Sequence, residues 1–335
     1  MAETIDYNAF KDALLNLLNP SNVEGFLACV SPYTSADCAE GPKTALIHVK
    51  FAEDKPQVAS LARFLWGQCM YYALPRKKFQ AFQAAIQEDF SIVARAHRAV
   101  KDAFIEFRAK NPSRASEVGE VLAYCMAQTY LKAPQMAAKM ALKTSANMPV
   151  HGLDGIHALW ENEALTLYFL ESKLAKSAVS GADDYAESVA GFLKNEKQYL
   201  REYEIVSDLG NLDTLEGKAR EAALNFFDIH SKPELPRRER SVGVICYSEK
   251  RLFADTIPVS DGPVDLHEKH FASNYLTELE HHRLAVKTRL EKHGADINKS
   301  IVFFIAVPDV NELRKAFYEA MGGLYDNLIV AGEGR

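Results

Sequence analysis

Apolar positions recur along the chain with two different spacings, and each spacing predicts one class of secondary structure. Intervals of three and four residues predict amphipathic helices over residues 7–19, 56–74, 77–110, 113–130, 183–202, 214–229, 272–292 and 311–321. Short apolar runs bounded by turn residues predict strands over residues 44–52, 135–143, 150–160, 164–171, 241–247 and 300–307. From residue 113 onward helices and strands are interspersed, which is the order of an α/β domain.

A helix-breaking pair, Asn111 and Pro112, divides the chain into two regions. By its pattern the first region, residues 1–112, is mainly helical. Residues 113–335 carry the α/β order, and we expect one domain there with a C-terminal α/β extension. Two roles stay open for the first region: binding a partner protein and covering an active site.

The composition is that of a globular protein with no predicted membrane segment. The most apolar runs, residues 242–247 and 301–307, are far shorter than the about 20 residues that a span needs. The N-terminus has no signal-peptide pattern, and the five cysteines form no CxxC pair, so we expect reduced thiols and a cytoplasmic protein. The net charge of -6 argues mildly against a surface devoted to nucleic acid, although a local basic site stays possible.

One predicted strand ends with a carboxylate and an ammonium on the same face. In residues 165–173, LTLYFLESK, alternation places Glu171 and Lys173 on the side of three preceding apolar residues. Charged groups in that position are costly unless they are paired or bound to a metal. The neighbouring hairpin strand carries Asp154 and the helix before it carries Glu120, so the pattern predicts a site at this strand end.

These residue types suit the hydrolysis of a phosphodiester. Mg²⁺ prefers oxygen ligands, which Asp154, Glu171 and the backbone carbonyl of Ser172 would supply, with Glu120 completing the shell directly or through water. Mn²⁺ is a possible substitute. The metal would lower the pKa of a bound water and neutralise transition-state charge. Lys173 would hold or help to deprotonate that water and contact the phosphate.

Three alternatives stay open at this point. An E-x-K triplet alone is not specific, since Glu53–Lys55 and Glu216–Lys218 repeat it, and a solvated ion pair would explain Glu171 and Lys173 without chemistry. The chain could instead be a non-catalytic adaptor that binds a helicase or DNA through its helical region. A nuclease acting on RNA is the third alternative. Convergence of the Asp154 and Glu171 carboxylates would favour the enzyme over the adaptor.

Basic residues close to the proposed site in sequence are the candidates for contact with DNA. Lys139 and Lys143 follow the predicted helix that carries Glu120. His151 lies just before Asp154, but alternation puts it on the opposite face, so a structural role or a phosphate contact is favoured over metal ligation.

Three short blocks resemble the PD-(D/E)xK nuclease superfamily and, more closely, the HamA nucleases of the Hachiman antiphage defence system. They are Gly119 with Glu120, HGLDGIH at residues 151–157, and LESK at residues 170–173. The resemblance extends over most of residues 113–307. One departure from the superfamily pattern is that Leu153, not proline, precedes the aspartate.

The resemblance implies a restriction-endonuclease-like core of helix, three strands, helix and strand. It implies that Asp154, Glu171 and Lys173 are the catalytic acid–acid–base set and that Glu120 is the helix-borne acid. It also implies Mg²⁺ dependence, DNA as the substrate, and a partner helicase, HamB, that restrains and directs the nuclease.

Overall fold

Eight strands are present in the computed structural model, which describes residues 7–34, 41–110, 116–140, 152–209, 211–228, 236–255, 257 and 263–322. They are β1 (Leu27–Ser31), β2 (Lys43–Val49), β3 (Phe51–Ala52), β4 (Lys55–Pro56), β5 (Gly155–Glu161), β6 (Ala164–Ala175), β7 (Arg237–Ser248) and β8 (Ser300–Val307). β3 and β4 form a small separate hairpin, and the others form one six-stranded sheet in the order β1-β2-β8-β7-β6-β5.

The sheet has a parallel centre and antiparallel edges. The four central strands, β2, β8, β7 and β6, run parallel to one another, whereas the edge strands β1 and β5 pair antiparallel with β2 and β6. Every residue of β8 is buried, as expected for a central parallel strand covered by helices on both faces.

The helices lie on both faces of this sheet. They are α1 (Tyr7–Leu17), α2 (Val58–Ala73), α3 (Arg76–Glu88), α4 (Ile92–Lys110), α5 (Glu117–Thr129), α6 (Ala178–Lys194), α7 (Glu196–Leu209), α8 (Gly217–Phe227), α9 (Lys250–Ala254), α10 (Leu266–Leu276), α11 (Leu279–His293) and α12 (Val310–Ala320). Among the described residues, no helix is long and apolar enough to cross a membrane.

Helices cover both faces of one sheet, so the α/β class predicted from the pattern is confirmed.

Alternation along β6 assigns its side chains to two different cores. Leu170 and Val244 of β7 belong to the core formed with α2, α5 and α12. Leu167 and Phe169 belong to the opposite core, formed with α1, α7 and α8. A side chain's parity along β6 therefore decides which helices it contacts.

The hairpin predicted before the E-x-K triplet is present. β5 and β6 pair antiparallel through a two-residue turn, Asn162 and Glu163, whose φ angles are 49° and 55°. Two successive positive φ angles are the geometry of a type I′ hairpin turn. β8 has the same bounds as its prediction, and β7 begins four residues earlier than predicted, at Arg237.

Predicted helices are interrupted where Asp or Asn binds the backbone. Residues 77–110 form α3 and α4, and at the break the Ser91 N–H donates to an Asp89 carboxylate oxygen at 2.9 Å. Residues 183–202 divide into α6 and α7 at Asn195, whose side chain accepts from the Gln198 N–H at 3.2 Å. Such side chains compete with the helix for backbone groups.

The strand predicted over residues 135–143 is absent from its described part, residues 135–140. Gln135 forms an isolated bridge with His157, and residues 136–138 belong to no strand. Between α5 and α6 the described residues contain two strands, β5 and β6, where the restriction-endonuclease-like core has three. Residues 141–151 of this stretch lie outside the described residues.

Strands from both sides of residue 112 share the main sheet. β2 pairs in parallel with β8, from Lys43 opposite Ile301 to His48 opposite Ala306. The division into two domains stays a prediction, and the structure adds that the N-terminal region contributes an edge and its neighbour to the common sheet.

Candidate active site at the edge of β6

Asp154 lies one residue before β5, where β6 extends beyond its antiparallel partner. The last residue of β6 paired with β5 is Leu170, opposite Gly155. Beyond it, Ser172 donates both its backbone N–H, at 2.8 Å, and its hydroxyl, at 2.7 Å, to Asp154 Oδ2. The N–H and C=O of one strand residue point to the same side. The Ser172 carbonyl therefore points toward the same edge of β6 as Asp154.

Glu171 and Lys173 project from β6 toward α6. Lys173 Nζ lies 2.7 Å from Glu171 Oε1 and donates to Ser188 Oγ of α6 at 2.9 Å. Burial, followed by the negative charge of Asp154, raises the pKa of Glu171 to about 7, although Lys173 acts in the opposite direction. Asp154 is bound to Ser172, the residue after Glu171, so its negative charge lies close enough to oppose ionisation of Glu171.

Glu120 approaches β6 from the opposite face. It is the fourth residue of α5, is only 3% exposed, and accepts a hydrogen bond from the Tyr72 hydroxyl. A Cβ on the neighbouring Gly119 would lie 3.4 Å from Ser172 Oγ, so α5 packs on the face of β6 that carries Ser172. The strand therefore separates Glu120 from Glu171.

A small cavity connects Glu120 with Asp154. Its lining also includes Tyr72, Ala123, Tyr124, Gln135, Gly155, His157 and Leu170. The pKa of Tyr72 is raised first by burial, then by Glu120, and to a smaller extent by Asp154. Asp154 thus lies between two acidic groups, with Glu171 on one face of β6 and Glu120 on the other.

Asp154 and Glu171 fit a divalent cation as a pair. Within the described residues no group of three or more His, Cys, Asp or Glu side chains is arranged to hold a metal. Two carboxylates that repel each other, with one lysine beside them, are nevertheless a hard oxygen donor set with surplus negative charge. Mg²⁺ is commonly bound by one or two carboxylates together with waters and substrate phosphates. Glu120 lies on the other face of β6 and shares a cavity with Asp154 alone of this pair.

Of the three residues expected to contact DNA near the site, the structure describes Lys139 alone, and its position does not fit that role. Lys139 is fully buried, and its Nζ contacts the Leu153 carbonyl at 2.5 Å and Glu202 Oε1 at 2.6 Å. A lysine enclosed in this way offers no surface to a phosphate, so its position supports a structural role instead. Lys143 and His151 lie outside the described residues.

Two further side chains at the site gave no signal in the sequence. Ser188 lies in the middle of α6, and its contact with Lys173 depends on which face of the sheet α6 covers. Tyr72 lies 48 positions before Glu120, in a region whose helical pattern carried no chemistry. Both contacts are created by tertiary packing alone.

A comparison with known protein families assigns the chain to one of them. The family model HamA matches residues 26–321, nearly the whole chain, including all the site residues above. The chain belongs to the HamA family. Its membership makes it a component of the Hachiman defence system. The HamA match begins well before residue 112, so the family spans both regions of the chain. No curated protein and no solved structure matches it.

Proposed function

We propose that this HamA-family chain is a Mg²⁺-dependent DNA nuclease of the Hachiman system, controlled by a HamB-like helicase in the cytoplasm. The observation that carries the proposal is the proximity of Asp154 and Glu171 at the edge of β6, with Lys173 bound to Glu171. A solvated ion pair does not account for this arrangement, because Glu171 is 8% exposed and its pKa is raised to about 7.

The order of elements around the site supports a restriction-endonuclease-like core. The helix α5 precedes the antiparallel hairpin of β5 and β6, and helices then connect β6 to its parallel neighbour β7. The acid on the helix, the aspartate beside the first strand and the E-x-K triplet on the second follow one another in the order that the superfamily implies.

In the proposed mechanism Asp154, Glu171 and the Ser172 carbonyl would hold Mg²⁺. When bound, the metal would lower the pKa of a coordinated water and offset charge on the phosphate. Ser172 fixes the orientation of Asp154 through its two hydrogen bonds. Lys173 has three N–H donors, of which the described contacts use two, so a third is available to orient the attacking water or a phosphate oxygen.

Glu120 has a different role in this proposal. Its carboxylate faces the cavity that it shares with Asp154, and Tyr72 holds it there. From that position it acts on the Asp154 side of the site through a water, as an outer contact that tunes a ligand.

The test is degradation of plasmid DNA by the purified chain with Mg²⁺, alone and together with the helicase partner and ATP. We expect Asp154→Asn, Glu171→Gln and Lys173→Met to remove cleavage. The E-x-K triplet at Glu53–Lys55 supplies matched controls. Glu53→Gln and Lys55→Met change the same residue types at exposed positions and should leave cleavage intact.

Equal activity of the wild type and the three site variants would reject the nuclease assignment. Retention of partner binding in those variants, with no cleavage by any protein, would favour the non-catalytic adaptor. An RNA of the same sequence, tested in parallel, separates the two nuclease alternatives.

A further inference from the structure

A shallow cavity lies beside the Asp154–Glu171 pair, on the α6 face of β6. Its unfilled space is about 440 Å³, a volume that includes open solvent at the mouth. Its apolar wall includes Leu153, which directly precedes Asp154, and Phe169, two residues before Glu171 on the same face. Two residues of a strand span about 7 Å, so the wall is adjacent to the proposed site.

The walls and the mouth of this cavity differ in character. Leu153, Phe169 and Phe192 are each only 3% exposed and form an apolar surface. The mouth is formed by Leu193, which is 48% exposed, by Asp296, and by Lys299, whose Nζ lies 3.8 Å from Asp296 Oδ2 and whose side chain is 58% exposed. An apolar slot with a cation at its mouth suits a flat ring attached to a phosphate.

Two tyrosine hydroxyls hold the carboxylate of Glu239, which lines the cavity. The Tyr199 hydroxyl donates to Glu239 Oε1 at 2.5 Å, and the Tyr203 hydroxyl donates to the same oxygen. Arg237 lies 4.8 Å from the centre of the Tyr203 ring and restrains that tyrosine in turn. Both described contacts use Oε1, so Oε2 is left to accept a hydrogen bond from a molecule in the cavity.

We infer that this cavity binds a nucleobase of the strand being cleaved, next to the scissile phosphate; the inference rests on the proposed nuclease function. The exposed side chain of Leu193 contacts one face of the base, above the buried apolar floor of the cavity. Glu239 accepts an N–H from the edge of the base, the type of contact that acidic residues make with cytosine N4. Arg240 and Lys299 are the two cations of the lining, and one of them would bind the attached phosphate, Lys299 in exchange for its contact with Asp296.

The test uses dCMP as the probe and the full chain in EDTA, so that neither metal nor cleavage is involved. Saturation-transfer difference NMR should show transfer to the H5 and H6 protons of the cytosine ring. 2-Deoxyribose 5-phosphate, which lacks the base, should bind at least tenfold more weakly in a competition titration.

Variants then locate the binding site. Leu193→Trp should cover the mouth and abolish the transfer, whereas Leu224→Trp, a matched change at a 39% exposed leucine of α8 outside the cavity, should preserve it. Glu239→Gln retains an oxygen for the two tyrosines but loses the charge, and it should weaken dCMP binding by about fivefold.

No transfer to the base in the wild type, or transfer that survives Leu193→Trp, would overturn the inference. The two proposals fail separately. Cleavage that depends on Glu171 without base binding would overturn only the base subsite. Base binding without cleavage in any condition would overturn the nuclease, and the cavity would then be a nucleotide site outside any cleavage reaction.

Discussion

Ser172 donates two hydrogen bonds to one oxygen of Asp154, from its backbone N–H at 2.8 Å and from its hydroxyl at 2.7 Å. The backbone contact replaces a ladder bond that β5 no longer supplies at this point, because Gly155 is its first residue. The site therefore lies where β6 extends beyond Gly155, the first residue of β5.

Ser172→Ala should weaken the site without destroying it. The backbone N–H still holds Asp154, so we expect cleavage to slow by about 10–100-fold, the usual cost of losing an outer contact to a metal ligand. The free energy of unfolding should fall by roughly 1 kcal/mol for the lost hydrogen bond. Rates of plasmid cleavage and urea denaturation measure the two effects. A rate equal to that of the wild type, or as low as that of Asp154→Asn, would contradict this account.

Metal affinity should depend on the ionisation of Glu171. Its pKa of about 7 means that the carboxylate is mostly protonated at pH 6 and mostly ionised at pH 8. Because only the ionised form binds a cation, Mg²⁺ or Mn²⁺ affinity should rise across this interval, with release of a proton on binding. Calorimetry in two buffers of different ionisation enthalpy measures both. In Glu171→Gln any residual binding should lose this pH dependence; a persisting dependence would assign it to another group.

The same carboxyl should make the metal-free chain less stable as pH rises. Its pKa is raised from 4.5 to about 7 in the folded chain, so the folded state holds the proton more tightly than the unfolded state. The resulting stabilisation is complete below pH 4.5 and is lost as pH rises through about 7. Urea denaturation in EDTA at pH 5 and pH 8 should show this loss, and Glu171→Gln should reduce it. An equal difference in both proteins would exclude Glu171 as its source.

Local sequence was sufficient for the parts of the site that depend on strand periodicity. Alternation correctly places Glu171 and Lys173 on one face. The three-residue link predicted at Glu161–Glu163 correctly indicates a hairpin, although Glu161 pairs with Ala164 and the turn has two residues. Asp154 could be placed beside Glu171 because antiparallel register fixes which residues are opposite each other. Each of these inferences uses residues fewer than 20 positions apart.

The positions of helices on the sheet could not be predicted in this way. Whether Glu120 joins Glu171 depends on which face of β6 α5 covers, and that choice is made by packing against distant elements such as α2 and α12. Likewise β2 pairs with β8 across more than 200 residues of chain, and no local pattern indicates that pairing. The first residues of β7 are basic and follow prolines in the sequence, so the apolar pattern did not predict them as part of the strand. Its first arginine, Arg237, pairs with Leu165.

Tyr72 and Glu120 should behave as a unit in mutagenesis. Tyr72→Phe removes a donor to a buried carboxylate, which typically costs about 1–3 kcal/mol of unfolding free energy. If Glu120 acts on the site from its cavity, Tyr72→Phe and Glu120→Gln should each slow cleavage, and the double variant should be no slower than Glu120→Gln alone. A double-mutant cycle of cleavage rates measures this coupling. Additive effects would show that the phenol does not position Glu120.

The buried pair of Lys139 and Glu202 separates a structural lysine from a DNA-binding one. A Cβ on Gly152 would overlap Glu202 Oε1, so the chain closes tightly over this pair. Lys139→Met should lower the free energy of unfolding by about 3–5 kcal/mol, because it leaves a buried carboxylate without its cation. Lys139→Met combined with Glu202→Leu should recover much of that loss. Urea denaturation measures both, and fluorescence anisotropy with labelled DNA provides the counter-test. Unchanged stability with weakened DNA binding in Lys139→Met would restore the phosphate contact first expected from the sequence.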